Sequence, residues 1–237
     1  MDGDKINQAI NALIKFIEAL DSESFFNVYS FGSKYTILSS SPLKANETNK
    51  ASAIKTISTF GADMGGTEVY ECLKSAFANK STSETNECER IFIFLTDGQV
   101  SNTGAIMNLI HSANSSEQIE NKVRIFSVAL GSDADRELVQ QMTNFTFGDC
   151  KFVSDSKNLT NTITDILKTV DKQYYTHVKF GSINTVNEFT NPNTGTNFNQ
   201  IIYTSVYPGK MYSFVGKNLT DCMLRAYNRY TKLDISL

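Results

Sequence analysis

Between residues 90 and 174 the chain alternates between apolar runs of strand length and amphipathic runs of helix length. Strand patterns cover residues 90 to 96, "VRIFSVALG" at 123 to 131 and "CKFVS" at 150 to 154, with helical patterns at about 103 to 114, 134 to 144 and 158 to 174. Strands separated by helices of this length predict a parallel sheet, because each crossover must return the chain to the start of the next strand. "IFIFL" at 91 to 95 is apolar at every position rather than at every second one. Such a strand is covered on both faces. The expected fold class is therefore α/β, a doubly wound, mostly parallel sheet with helices on both faces.

Upstream, Ile6, Ile10, Leu13, Ile14, Ile17 and Leu20 recur at spacings of three and four and predict a helix over 4 to 20. "FFNVYSFG", 25 to 32, predicts one strand and "YTILSS", 35 to 40, a second, joined by a turn at Gly32 and Ser33. A helical pattern follows at 49 to 60, and "GADMGGTEVYECLKSAF" then runs from a glycine-rich loop into a helix expected to start near Thr67. From about residue 176 the helical period is replaced by short apolar runs, "QIIYTSVY", "MYSFVG" and "CMLRAYN", broken by "NPNTG" and "PGK". These predict antiparallel hairpins. Two domains are expected: residues 1 to 175, and a partial β-rich segment, 176 to 237, of a larger module.

The formal net charge of −3 and the absence of a basic run argue against a nucleic-acid partner, since phosphate binding needs concentrated positive charge. No segment reaches the roughly 18 to 20 apolar residues of a membrane helix. Met1 is followed by Asp2 and Asp4, unlike a signal segment, so the chain as written reads as cytoplasmic, with its true N-terminus left open. Cys72, Cys88, Cys150 and Cys222 form no CxxC pair and are expected as free thiols. Sequons at Asn46, Asn79, Asn114, Asn144, Asn158 and Asn218 matter only in a secretory protein. His111 and His177 have no partner at metal-binding spacing, and no GxGxxG, GxxxxGK or GxSxG is present, so no catalytic residue is assigned and no enzyme is expected.

Asp97 lies at the carboxyl end of the strand 90 to 96, where open parallel sheets bind ligands, and Gly98 allows the chain to turn away. Gly65 and Gly66 permit close backbone approach, and Thr67 is expected both to cap the next helix and to direct its hydroxyl toward the same crevice. Asp133 in "GSDAD" is the expected cap of the helix after it. Carboxylate and hydroxyl oxygens are hard donors of the kind Mg²⁺ takes, although two alone hold it weakly. The alternatives are a plain helix cap at Thr67 and turn chemistry at Asp97.

Taken together, "IFIFLTDGQVSN", "MGGTEVYECLKSAF" and "DSESFFNVYSFG" resemble the von Willebrand factor type A domain over nearly all of residues 1 to 175. Within it, "GGTEVYECL" is most similar to the inter-alpha-trypsin inhibitor heavy chains and their intracellular relatives. The resemblance implies a non-enzymatic adhesion-type module with a metal ion-dependent site built from three loops: DxSxS after the first strand, a Thr in a GGT loop and an Asp in a TDG turn. Thr67 and Asp97 match the second and third, so they are the implied metal residues. Mg²⁺ is the implied cofactor, and an acidic group of a protein partner the implied ligand.

The first motif has no counterpart. "MDGDKI" matches, at Met1, Gly3, Lys5 and Ile6, the residues just behind DxSxS. The expectation is a chain that starts behind that motif, lacks the first strand of the sheet and holds an incomplete site. An internal Met taken as the start, a fragment, and a degenerate domain are the competing explanations. A metal-independent scaffold with a vestigial site is the alternative function.

Overall fold

A computed structural model of the chain describes residues 3–79, 89–115, 123–146, 148–154 and 158–170 with their side chains, and the backbone of strands between 175 and 236. The chain divides into two compact units, Met1–Leu167 and Lys168–Leu237.

The first unit opens with α1 (Gly3–Ala19) and continues through β1 (Phe25–Phe26), β2 (Tyr29–Phe31), β3 (Tyr35–Ile37), β4 (Leu43–Lys44) and α2 (Glu47–Ile57). The single strand expected over 25 to 32 is broken in two at Asn27. Its Oδ1 accepts from the amides of Val28 (2.9 Å) and Ser39 (3.2 Å), and its Nδ2 donates to the Ser39 carbonyl (2.7 Å). A side chain that bonds backbone in this way competes with ladder pairing. Before the break the chain pairs with β4, after it with β3. Ile17 of α1 and Ala53 and Ile57 of α2 close over Phe26, Val28 and Ala45 in one apolar cluster.

Then come α3 (Tyr70–Ala78), β5 (Arg90–Thr96), α4 (Thr103–Ala113), β6 (Val123–Leu130), α5 (Arg136–Phe145), β7 (Cys150–Val153) and α6 (Leu159–Val170). β5, β6 and β7 form a parallel sheet in that order, with Arg90 opposite Val123 and Ser127 opposite Cys150. With the short antiparallel pairs and the flanking helices this is the expected α/β, doubly wound class. Every residue of β6 is buried. Val123, Ile125 and Ala129 join Phe94, Leu73, Phe77, Ile106, Ile110, Leu138 and Met142 in the main core, and the alternate residues Arg124, Phe126, Val128 and Leu130 are buried too. Burying Arg124 is tolerable because its guanidinium pairs with Glu89 at 3.0 Å and lies 4.9 Å from the Phe126 ring centre.

The second unit is antiparallel. β8 (Tyr175–Ser182), β11 (Gln200–Val206), β13 (Cys222–Asn228) and β14 (Leu233–Ser236) form a sheet in the order β11-β8-β13-β14. β9 (Glu188–Thr190), β10 (Asn197–Phe198) and β12 (Val215–Lys217) form a second, in the order β10-β9-β12. Among the described residues, no helix is long and apolar enough to cross a membrane.

Candidate functional site

The site is built from the turn that ends β5. Thr96 is 1% exposed, and its hydroxyl contacts both the amide and the carbonyl of Gly98 at 3.4 Å. That local clamp folds the chain back within two residues and leaves Asp97 at the tip. The Gly98 carbonyl accepts from the Asp135 amide (3.2 Å), and Gln99 Nε2 donates to the Asp133 carbonyl (3.0 Å). The turn is thus tied to the segment leading into α5. Asp135, rather than the expected Asp133, caps α5: its carboxylate accepts from the Leu138 amide at 3.0 Å, while Asp133 lies farther out and accepts from Ser132 Oγ. The first residue whose side chain reaches the third amide of the helix is the cap, and that is Asp135.

The glycine-rich loop is held by the β2–β3 turn. The Ser33 amide donates to the Met64 carbonyl (2.8 Å) and the Glu68 amide to the Gly32 carbonyl (2.7 Å). Gly66 has φ +36°, and a Cβ there would lie 2.7 Å from Ser33 Oγ, so the close approach needs glycine. Thr67 does not cap a helix as expected. α3 begins at Tyr70, its N-cap is Val69, and no side chain caps it. Freed from that role, the Thr67 hydroxyl lies at the β5 turn, where a Cβ on Gly98 would sit 3.4 Å from its oxygen. The structure therefore brings Thr67 beside the residue that follows Asp97.

A third group enters from α1. Lys5 Nζ lies 3.8 Å from Asp97 Oδ2, with side chains 38% and 18% exposed. Sequence reasoning assigned Lys5 no role, because a residue of the first helix gives no sign of meeting a strand end so far along the chain. His111 stacks on Phe145 at 3.7 Å between ring centres and is accounted for by packing.

Mg²⁺ takes about six oxygen donors in near-octahedral geometry. The crevice offers the Asp97 carboxylate and the Thr67 hydroxyl, with an ammonium beside the carboxylate. Among the described residues, no three His, Cys, Asp or Glu side chains gather to hold a metal. By themselves, then, the described residues of the crevice do not fit Mg²⁺.

Other titratable groups serve the framework. The half-buried Arg90 guanidinium donates to the carbonyls of Ala76 (2.9 Å) and Asn79 (3.1 Å) at the end of α3, with burial drawing its pKa down. Burial pushes the Tyr29 phenol up, and pushes the Cys72 thiol up to about 11. Cys72 and Cys150 are free thiols; Cys88 and Cys222 fall outside the residues with described side chains.

Comparison with known proteins bears on the family and the fold. A von Willebrand factor A domain-containing protein of Dictyostelium discoideum is 26% identical over 179 residues, 76% of this chain and 20% of that protein. The von Willebrand factor A domain-containing protein 5A of Rattus norvegicus is 27% identical over 150 residues, 63% of this chain and 17% of its own length. The chain thus spans a fifth or less of these relatives. Among solved structures, a von Willebrand factor type A protein from Catenulispora acidiphila superposes with a TM-score of 0.64 at 13% identity, covering 94% of this chain and 58% of that one. Proximal thread matrix protein 1 of the mussel byssus superposes with a TM-score of 0.57 at 15% identity, covering 72% and 44%. At such identities the superpositions speak for the fold. The sequence profile of the von Willebrand factor type A domain matches residues 1–152, and the chain belongs to that family of non-catalytic interaction modules.

Proposed function

We propose that the crevice formed by the β5 turn and the glycine-rich loop is the recognition surface of a protein-interaction module. In a longer form of the chain carrying an upstream DxSxS loop, it binds Mg²⁺ and, through an open position on the metal, an acidic group of a protein partner. Thr67 is then a direct ligand and Asp97 a ligand directly or through water. The observation that carries this reading is the meeting of the Thr67 hydroxyl with the turn that displays Asp97. Two loops from distant parts of the sequence converge there, and neither hydroxyl nor carboxylate is used to cap a helix.

The reading includes a von Willebrand factor type A unit over residues 1 to 175, of the inter-alpha-trypsin inhibitor heavy chain-like subgroup, and a partial β module after it. In the longer form, a first strand would lie between β2 and β5. Among the described residues, β5 is paired on one side only, by β6, and β2 belongs to a separate sheet although Phe31 and Phe94 stack at 5.6 Å. Reading the genomic sequence in frame upstream of Met1 checks this: an apolar strand and DxSxS are expected.

The functional test is thermal melting of that longer form during Mg²⁺ titration. A rise in Tm that Asp97→Ala removes is expected. No rise, or one that survives the substitution, favours the second reading, a metal-independent scaffold, to which the ammonium already beside Asp97 lends support.

A further inference from the structure

We infer that the Gly32–Ser33 peptide group positions Thr67, so that the β2–β3 hairpin sets how the threonine hydroxyl is presented to the crevice. The inference rests on the reading of this crevice as the recognition surface and concerns what holds one of its two walls. The Ser33 N–H and the Gly32 C=O belong to a single peptide unit, and both are used. The first donates to the Met64 carbonyl (2.8 Å), and the second accepts from the Glu68 amide (2.7 Å). Residues 65 to 67 therefore form an arch with both feet on one plane. A peptide unit is rigid, so the orientation of this plane fixes where the arch stands, and Thr67 lies directly beside one foot. The arch needs such a clasp because Gly65 (φ +58°) and Gly66 (φ +36°) give it no stiffness of its own.

Gly32 is buried, and its surroundings leave no space for a side chain. A Cβ there would meet the Gly65 carbonyl oxygen and lie 2.7 Å from the Met64 carbonyl oxygen, both of them backbone atoms that cannot rotate aside. The plane is held in turn by its hairpin. The Gly32 amide donates to the Lys34 carbonyl (2.8 Å), and Ser30 Oγ reaches Met64 Sδ at 3.7 Å. Phe31, the residue before the plane, stacks on Phe94 of β5 with ring centres 5.6 Å apart and planes at 7°. β5 is the strand whose turn forms the other wall. The contacts close a circuit: from β5 through Phe94 and Phe31 to the peptide plane, across it to the arch, and from Thr67 back to Gly98.

The test is NMR of the unaltered 237-residue chain and of two variants, with labelled backbone and threonine methyl groups. In the unaltered chain, scalar couplings across both hydrogen bonds, Ser33 to Met64 and Glu68 to Gly32, are expected, with a nuclear Overhauser effect between the Thr67 methyl and Gly98. Gly32→Ala is expected to abolish both couplings and the Overhauser effect while the amides of β6 keep their shifts. Ser33→Ala, which keeps the peptide group and removes only the hydroxyl, is expected to preserve all three. An Overhauser effect that persists in Gly32→Ala after the couplings are lost overturns the inference, as does absence of the couplings from the unaltered chain. If Gly32→Ala does not fold, hydrogen exchange of the unaltered chain decides. A single clasp requires the Ser33 and Glu68 amides to open together, with equal protection and equal urea dependence, and unequal values overturn it. None of these measurements involves a metal or a partner, so a crevice that binds neither leaves them unchanged, and a failed clasp leaves the Mg²⁺ titration to be judged by itself.

Discussion

Three amides along one edge of β6 depend on single residues outside any strand. β7 pairs only with the last four residues of β6, Ser127 to Leu130. Before and at that point, the Val123 amide donates to Asn114 Oδ1 (2.7 Å), the Ile125 amide to Thr146 Oγ1 (3.0 Å) and the Ser127 amide to the Asp149 carbonyl (3.1 Å). Buried amides must find acceptors, and here side chains and a loop take the place of a strand. Thr146 is fully buried and also donates to the Met142 carbonyl at 2.7 Å, so Thr146→Val preserves shape and orphans the Ile125 amide. A loss of about 1 to 3 kcal/mol is expected, read as a lower urea midpoint with unchanged slope. At Cys72 the folded state favours the protonated thiol, so its contribution to stability is intact below the ordinary thiol pKa. It is lost as pH rises from about 9 to about 11. Urea unfolding across that interval should show stability falling with pH, less steeply in Cys72→Ala; equal slopes would refute the assignment.

Among the helices, α1 ends on a lysine from another helix. Lys50 of α2 is 9% exposed, and its ammonium donates to the carbonyls of Leu20 (2.6 Å) and Glu18 (3.3 Å). A cation there meets the unsatisfied carbonyls of the helix end. Lys50→Met keeps the buried stem and removes the charge; a cost of about 1.5 to 3 kcal/mol is expected by denaturant unfolding, and a change below 0.5 kcal/mol would show that the capping contributes little. The same element shows what a sequence conceals. The amphipathic stripe of α1 and the apolar run of β5 were legible because periodicity reports which faces are covered. The break at Asn27, the two-residue β4 and the Lys50 cap depend on partners elsewhere in the chain, which no local pattern encodes. At the site, Asp97 was legible from its place at a strand end, whereas its neighbour Lys5 was not. Thr67 was assigned a capping role by residue type, but α3 starts three residues later and leaves the hydroxyl to the crevice.

For the molecule as a whole, the asymmetry of the parallel sheet sets where it opens first. β6 has strand, side-chain or loop acceptors along both edges, whereas among the described residues β5 is bonded only toward β6. Unpaired edges exchange amide hydrogens readily and invite a further strand. Native-state hydrogen exchange should therefore find β6 protected throughout and the outward-facing amides of β5 exchanging early. Uniform protection across β5 would mean that its outer edge is already covered. The start of β6 is held by a side-chain acceptor, Asn114. Asn114 opens the sequon Asn-Ser-Ser, yet it is 5% exposed, and its Nδ2, the atom a glycan would be attached to, is buried. A sugar cannot be added there once β6 has docked. Any carbohydrate found on Asn114 would accordingly act as a clock, recording that the modifying enzyme reached the chain before the sheet formed.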